Sequence, residues 1–168
     1  MKHSIFLRNA LTGLLFFFSV TSLASAETFT FLGPSGGQGG NYFSDKQTGG
    51  LRVTEVRVRS GAFIDAIQFV YKNVIDQEIA GQQHGGNGGN PSVFKLQQGE
   101  YITRITGKHG DFIDSFQLVT NYGRIKGWGG TGGSSHYTYS APPGSSIFGL
   151  FGRSGVYVDA VGVILSTK

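Results

Sequence analysis

The sequence predicts an all-β domain, and three observations predict it. A glycine cluster recurs three times, a G-x-x-x-D motif follows each cluster, and β-branched apolar runs lie between them with no sustained 3.6-residue period. Short strands punctuated by glycine at fixed intervals imply a sandwich, a barrel or a prism. Three equivalent sheets closing around an axis would bury one face of each and shield their edges.

The first element is a targeting segment. Lys2 and Arg8 lie at the start, residues 11–20 are largely apolar, and Ala24, Ser25 and Ala26 supply the small residues a signal peptidase reads. The apolar stretch is shorter than the roughly 20 residues of a membrane span. Residues 1–26 are therefore read as a signal peptide cleaved after Ala26, and 27–168 as one domain that is secreted or periplasmic. No transmembrane segment is expected elsewhere.

Composition then narrows the classes. Of 168 residues, 28 are glycine, four proline and none cysteine, and only 14% are charged. Without cysteine there is no disulfide frame, thiol nucleophile or cysteine zinc site, so stability has to come from packing. The net charge of +4 includes Lys2 and Arg8, and the domain itself is close to neutral. Nucleic acid is not an expected partner.

The repeats come next in order. The glycine clusters are residues 36–40 (GGQGG), 85–89 (GGNGG) and 129–133 (GGTGG). The motif begins 25, 25 and 26 residues later, at Gly61, Gly110 and Gly155, and ends in Asp65, Asp114 and Asp159. A stray Gly107 and Asp111 pair has the same spacing, so one match alone says nothing. Three matches in register, each with an aromatic at the third place (Phe63, Phe112, Tyr157), make the repeat real.

The strands follow from these markers. Residues 53–58 and 102–105 cluster β-branched side chains, and apolar runs follow each aspartate at 66–71, 115–120 and 160–165. Strand parity puts Asp65 with Ile67 and Phe69, Asp114 with Phe116 and Leu118, and Asp159 with Val161 and Val163. A carboxylate buried unpaired in such a row costs several kcal/mol. The expectation is that each aspartate sits at the open tip of its row, where the turn meets solvent.

Glycine lets the backbone approach a ligand closely and adopt positive φ. Bare N–H donors facing a carboxylate suit a polyol, whose hydroxyls donate and accept at once, with charge-assisted bonds roughly twice as strong as neutral ones. Three such loops, each paired with a G-x-x-x-D turn, resemble the jacalin-related lectins over nearly all of the domain. The resemblance implies a β-prism of three four-stranded antiparallel Greek-key sheets with pseudo-threefold symmetry. It also implies that the aspartate accepts bonds from two sugar hydroxyls, while N–H groups of the first two x positions and the last loop glycine complete the site.

Carried over by that resemblance, one site joins Gly40 to Val156, Tyr157 and Asp159. A second joins Gly89 to Ala62, Phe63 and Asp65, and a third joins Gly133 to Asp111, Phe112 and Asp114. Asp111 adds a negative charge to the third. Family members that prefer galactose use a glycine amine freed by cleavage near the first loop. Cleavage after Ala26 leaves no such amine here, so mannose or glucose type is expected. The implied partners are glycans or glycoconjugates, with a homo-oligomer left open and no cofactor or metal required.

Other features read as ordinary structure. His84, His109 and His136 show no metal-ligand spacing and are expected in loops, and Trp128 is expected in packing. Arg57 and Arg59 share a strand face with Glu55 and are expected in solvent. Asp111 with Asp114 could suggest a glycosidase pair or calcium ligands, but no supporting residues accompany them. The expectation is a carbohydrate-binding protein without catalysis. The alternatives are a secreted structural or protein-interaction prism and a glycan-processing enzyme.

Overall fold

The computed structural model describes residues 28–46 and 50–167, and the leader at 1–26 lies outside the described residues. Among the described residues there are thirteen strands and no helix. They are β1 (Phe29–Gly36), β2 (Asn41–Ser44), β3 (Arg52–Ser60), β4 (Ile64–Lys72), β5 (Glu78–Ala80), β6 (His84–Gly85), β7 (Asn90–Lys95), β8 (Ile102–His109), β9 (Ile113–Thr120), β10 (Ile125–Gly129), β11 (Ser135–Ser140), β12 (Ser145–Ser154) and β13 (Val158–Thr167).

Each G-x-x-x-D motif spans the turn of a hairpin and the start of its second strand: β3–β4, β8–β9 and β12–β13. The turns repeat the same backbone bond, in which Gly61, Gly110 and Gly155 donate to the carbonyls of Phe63, Phe112 and Tyr157 at 3.0, 3.0 and 2.9 Å. Each hairpin is the centre of a four-stranded antiparallel sheet. The orders are β2–β12–β13–β1, β11–β8–β9–β10, and β7–β3–β4 with the interrupted edge β5 and β6. A single ladder position, Ile147 opposite Ile102, joins the first two of these sheets.

In two sheets the hairpin is followed in sequence by its own outer strands, one on each side, which is the Greek-key order. In the third, β12 and β13 come from the end of the chain and β1 and β2 from its beginning. Closing that sheet brings Thr28 and Thr167 together, with their hydroxyls 2.8 Å apart. The result is a β-prism, as the family resemblance implied.

The core lies along the axis. Ile67, Phe69, Ile105, Phe116, Leu118, Leu150 and Val163 are among its buried side chains, each worth about 1.5–3 kcal/mol on full burial. The strands β4, β9 and β13 face one another there. β13 is buried on both faces except at Thr167, which explains why it reads as a nearly continuous apolar run rather than an alternating one.

At one end of the axis the three third-place aromatics close the core. Phe63, Phe112 and Tyr157 meet pairwise with ring centroids 5.5, 5.5 and 5.1 Å apart. Directly below them sit Ile64, Ile113 and Val158, all fully buried. Edge-to-face and tilted contacts of this kind add about 0.5–1.5 kcal/mol per pair beyond area burial. These rings therefore pack on each other and fix the three turns relative to one another.

Candidate functional site

Each glycine cluster lies against one aspartate. Gly37, Gly86 and Gly130 donate backbone hydrogen bonds to the carbonyls of Asp159, Asp65 and Asp114 at 2.8, 2.9 and 2.8 Å. This pins each loop along the strand that carries its aspartate. The first loop comes from the beginning of the chain and meets a turn near its end, so closure of the discontinuous sheet assembles this pair.

The glycines are needed for contact and for conformation. A Cβ on Gly39, Gly88 or Gly132 would fall on the Oδ1 of Asp159, Asp65 or Asp114. Gly40, Gly89 and Gly133 have φ of +59°, +61° and +78° and lie against the Oδ2 of the same three residues. No side chain fits between loop and carboxylate, so main chain lines each cup directly. The middle residues Gln38, Asn87 and Thr131 are the only ones with side chains, and all three are exposed.

The cups are also linked in a ring. Gly86 donates to the carbonyl of Val156 at 3.1 Å, tying the second loop to the first turn. Gly37 is tight against the carbonyl of Asp111 and Gly130 against that of Ala62. Every first-x residue thus braces the loop of a neighbouring cup through its carbonyl. All twelve residues assigned to sites from the sequence lie at this one end of the prism.

The carboxylates are more buried than the sequence suggests. Asp65, Asp114 and Asp159 are 7%, 5% and 4% exposed, whereas an open position at the tip of the row was expected. The reason is the glycine loop itself, which folds over each carboxylate. Among the described residues, Asp114 Oδ2 accepts the Gly110 N–H at 3.0 Å, but the buried Oδ2 of Asp159 has no partner. Burial raises the Asp159 carboxyl above its ordinary value, against the opposing pull of the Gly155 N–H and the Arg153 charge. A desolvated, unpartnered acceptor beside bare backbone is arranged to take hydroxyl donors.

Two arginines that the sequence reading did not assign to the sites hold the loops. Arg153 donates from Nε to Gly39 O and from Nη2 to Gly40 O, both at 2.7 Å. Arg59 does the same to Gly88 O and Gly89 O, at 2.7 and 3.1 Å. Arg59 was expected in solvent, and its fork on the second loop corrects that. The signal was present: an arginine two residues before the motif in two of three repeats, with Lys108 in the third.

Further expectations change, and His109 and His136 lie on β8 and β11 rather than in loops. His84 is not in an exposed loop: it is 3% exposed, stacks on Phe43 and pairs with Asp45 at 2.6 Å. Glu55, taken as solvated, is 8% exposed and pairs with Arg57. Trp128 packs against Phe94 and Phe116, with 8% exposure. Among the described residues no group of three or more potential ligands stands close enough to hold a metal ion.

A prism with backbone-lined carboxylate cups ringed at one end has the architecture of a lectin-type recognition protein. The jacalin-like lectin domain family matches residues 32–164, and the chain belongs to that family. Membership of a lectin family makes it a non-enzymatic protein. No curated protein matches it in sequence. Among solved structures, Malaysian banana lectin is 29% identical with a TM-score of 0.73, covering 83% of this chain and 99% of the lectin. A mannose-binding jacalin-related lectin from Ananas comosus is 30% identical with a TM-score of 0.71 over the same shares. The Calystegia sepium agglutinin is 25% identical, with a TM-score of 0.72 over 84% of this chain and 98% of its own.

Proposed function

We propose that this protein is an exported lectin that takes mannose- or glucose-type residues of glycans in up to three cups. The first is formed by Gly40, Val156, Tyr157 and Asp159, the second by Gly89, Ala62, Phe63 and Asp65, and the third by Gly133, Asp111, Phe112 and Asp114. The observation that carries the reading is the Asp159 carboxylate held against the loop, its Oδ1 at Gly39 and its buried, unpartnered Oδ2 at Gly40. In each cup the carboxylate accepts from sugar hydroxyls and the main chain of loop and turn donates back. Support comes from solved relatives: the Ananas comosus lectin is mannose-binding, and Calsepa lectin, 25% identical, is found in complex with a biantennary N-glycan.

A few partly solvated hydrogen bonds, each about 0.5–1.5 kcal/mol net, set a single-site Kd on the order of millimolar. Three cups at one end then act through avidity on branched or clustered glycans, with gains of about 10²–10⁴. Export rests on the leader read at residues 1–26.

Titration with methyl α-mannoside, followed through the backbone amides, tests the reading. Shifts at Gly40, Tyr157 and Asp159 support it. Silence at all three loops would leave a structural prism that uses the same turns only for folding. A glycan array then ranks mannose, glucose and galactose termini.

A further inference from the structure

The three cups are alike in loop and carboxylate but differ in what stands behind the loop. Arg153 and Arg59 each reach two consecutive loop carbonyls with the Nε and Nη2 donors on one edge of the guanidinium. Lys108 occupies the same place, two residues before the third motif and opposite His136 on β11. Among the described residues its ammonium makes no hydrogen bond to the loop at 129–133, while its backbone N–H donates to Ser115 Oγ at 3.0 Å.

That difference acts on the binding face. A peptide unit is planar, and in the trans form its C=O and N–H point in opposite directions. Holding Gly39 O on Arg153 therefore turns the Gly40 N–H away from the guanidinium. Arg59 sets the Gly89 N–H by the same geometry. Glycine-rich backbone has many alternative conformations, and fixing it before the ligand arrives removes an ordering cost from binding. A lysine is a flexible point charge and cannot reproduce the fork.

We infer that Arg153 and Arg59 are positioning residues that preorganise the first and second cups, and that Lys108 leaves the third cup the weakest of the three. This rests on the saccharide reading above and adds to it a ranking of the cups and the residue that sets the ranking.

The test is a site-resolved titration of the ¹⁵N-labelled protein with methyl α-mannoside, reading Gly40, Gly89 and Gly133 separately. Losing a charge-assisted fork corresponds to about tenfold in affinity. In the wild type, Gly133 is expected to report a Kd about tenfold weaker than Gly40 or Gly89. Arg153→Lys weakens binding at Gly40 about tenfold and leaves Gly89 unchanged, and Arg59→Lys does the reverse. Lys108→Arg is the decisive rescue: heteronuclear NOE values rise across residues 129–133, and binding at Gly133 tightens toward the other two.

Unchanged affinity at Gly40 in Arg153→Lys overturns the inference. So does a Lys108→Arg protein whose third loop stiffens without tighter binding. If Lys108→Arg does not stiffen that loop, the Arg153→Lys and Arg59→Lys results decide. No shift at any loop in the wild type overturns the saccharide reading itself, whereas equal shifts at all three that no variant alters overturn this inference and leave the saccharide reading standing.

Discussion

Gly39 and Asp159 lie so close that a Cβ on residue 39 would fall on Asp159 Oδ1, although they come from opposite ends of the chain. Gly39, unlike Gly40, does not have positive φ, so Gly39→Ala is a steric test without backbone strain. Alanine there has to push the carboxylate aside. Sugar-induced shifts at Gly40 should vanish, those at Gly89 and Gly133 should persist, and the melting temperature should fall by only a few degrees.

Asp159→Asn tests what the burial of that carboxylate costs. Its folded-state value is raised, chiefly by burial, with Gly155 and Arg153 opposing. A raised carboxyl adds stability below its unfolded value and loses that contribution as pH rises through the folded value. At neutral pH the buried charge is a net cost. The amide should therefore melt at or above the wild-type temperature at pH 7 without sugar, while binding at the first cup is lost. A variant that unfolds instead would make the carboxylate a structural turn residue.

Much of this was legible in the sequence. The three clusters and three motifs lie in register because each unit is one loop and one hairpin tip, and positive φ and close approach both select glycine. What remained hidden depended on contacts between units. Arg59 looked like a surface cation because its partners, Gly88 O and Gly89 O, are backbone atoms with no side-chain signature. Arg153 was not singled out for the same reason. The aspartates looked open because parity describes a strand and not the loop folded over it. His84 looked like a loop residue because β6 is only two residues long and its partner, Asp45, belongs to a different sheet region.

Glu100 gives the fold an acid-sensitive joint. Burial acts to raise its carboxyl, but the Thr120 hydroxyl, the Gln97 N–H and Arg124 together hold it below its ordinary value. The contacts are 2.6 Å to Thr120 Oγ1, 2.7 Å to Gln97 N and 2.6 Å to Arg124 Nη1. A lowered carboxyl stabilises above its unfolded value, and that contribution is lost as pH falls through the folded one. Glu100→Gln should cost about 1–3 kcal/mol at pH 7 and flatten the decline in melting temperature on acidification.

The Asp45 and His84 pair joins the end of β2 to the broken edge of β4. Asp45 also accepts the Leu150 N–H at 3.1 Å and donates its own N–H to Leu150 O at 2.8 Å. Among the described residues, removing His84 leaves the buried Asp45 carboxylate with the Leu150 N–H alone, and breaking a buried pair in this way costs about 3–5 kcal/mol. His84→Ala should lower the melting temperature by roughly 6–15 °C. Because His84 directly precedes the loop at 85–89, surviving folded protein should keep its sugar affinity at the first and third cups, with any loss confined to the second.

Phe63→Ala separates local from shared effects. Asp159, Asp65 and Asp114 each serve one cup, but Phe63 touches both Phe112 and Tyr157 and so holds all three turns in place. Losing the ring removes two aromatic contacts and opens the end of the core above Ile64, at a cost of about 2–4 kcal/mol for a side chain that is only partly buried. The first-x carbonyls of Ala62, Asp111 and Val156 would then shift against the loops they brace. Sugar affinity should fall at Gly40, Gly89 and Gly133 together, whereas Asp65→Asn should affect Gly89 alone. Loss confined to the second cup in Phe63→Ala would show that the three turns are positioned independently, and the aromatic cluster would then be packing with no part in coupling the cups.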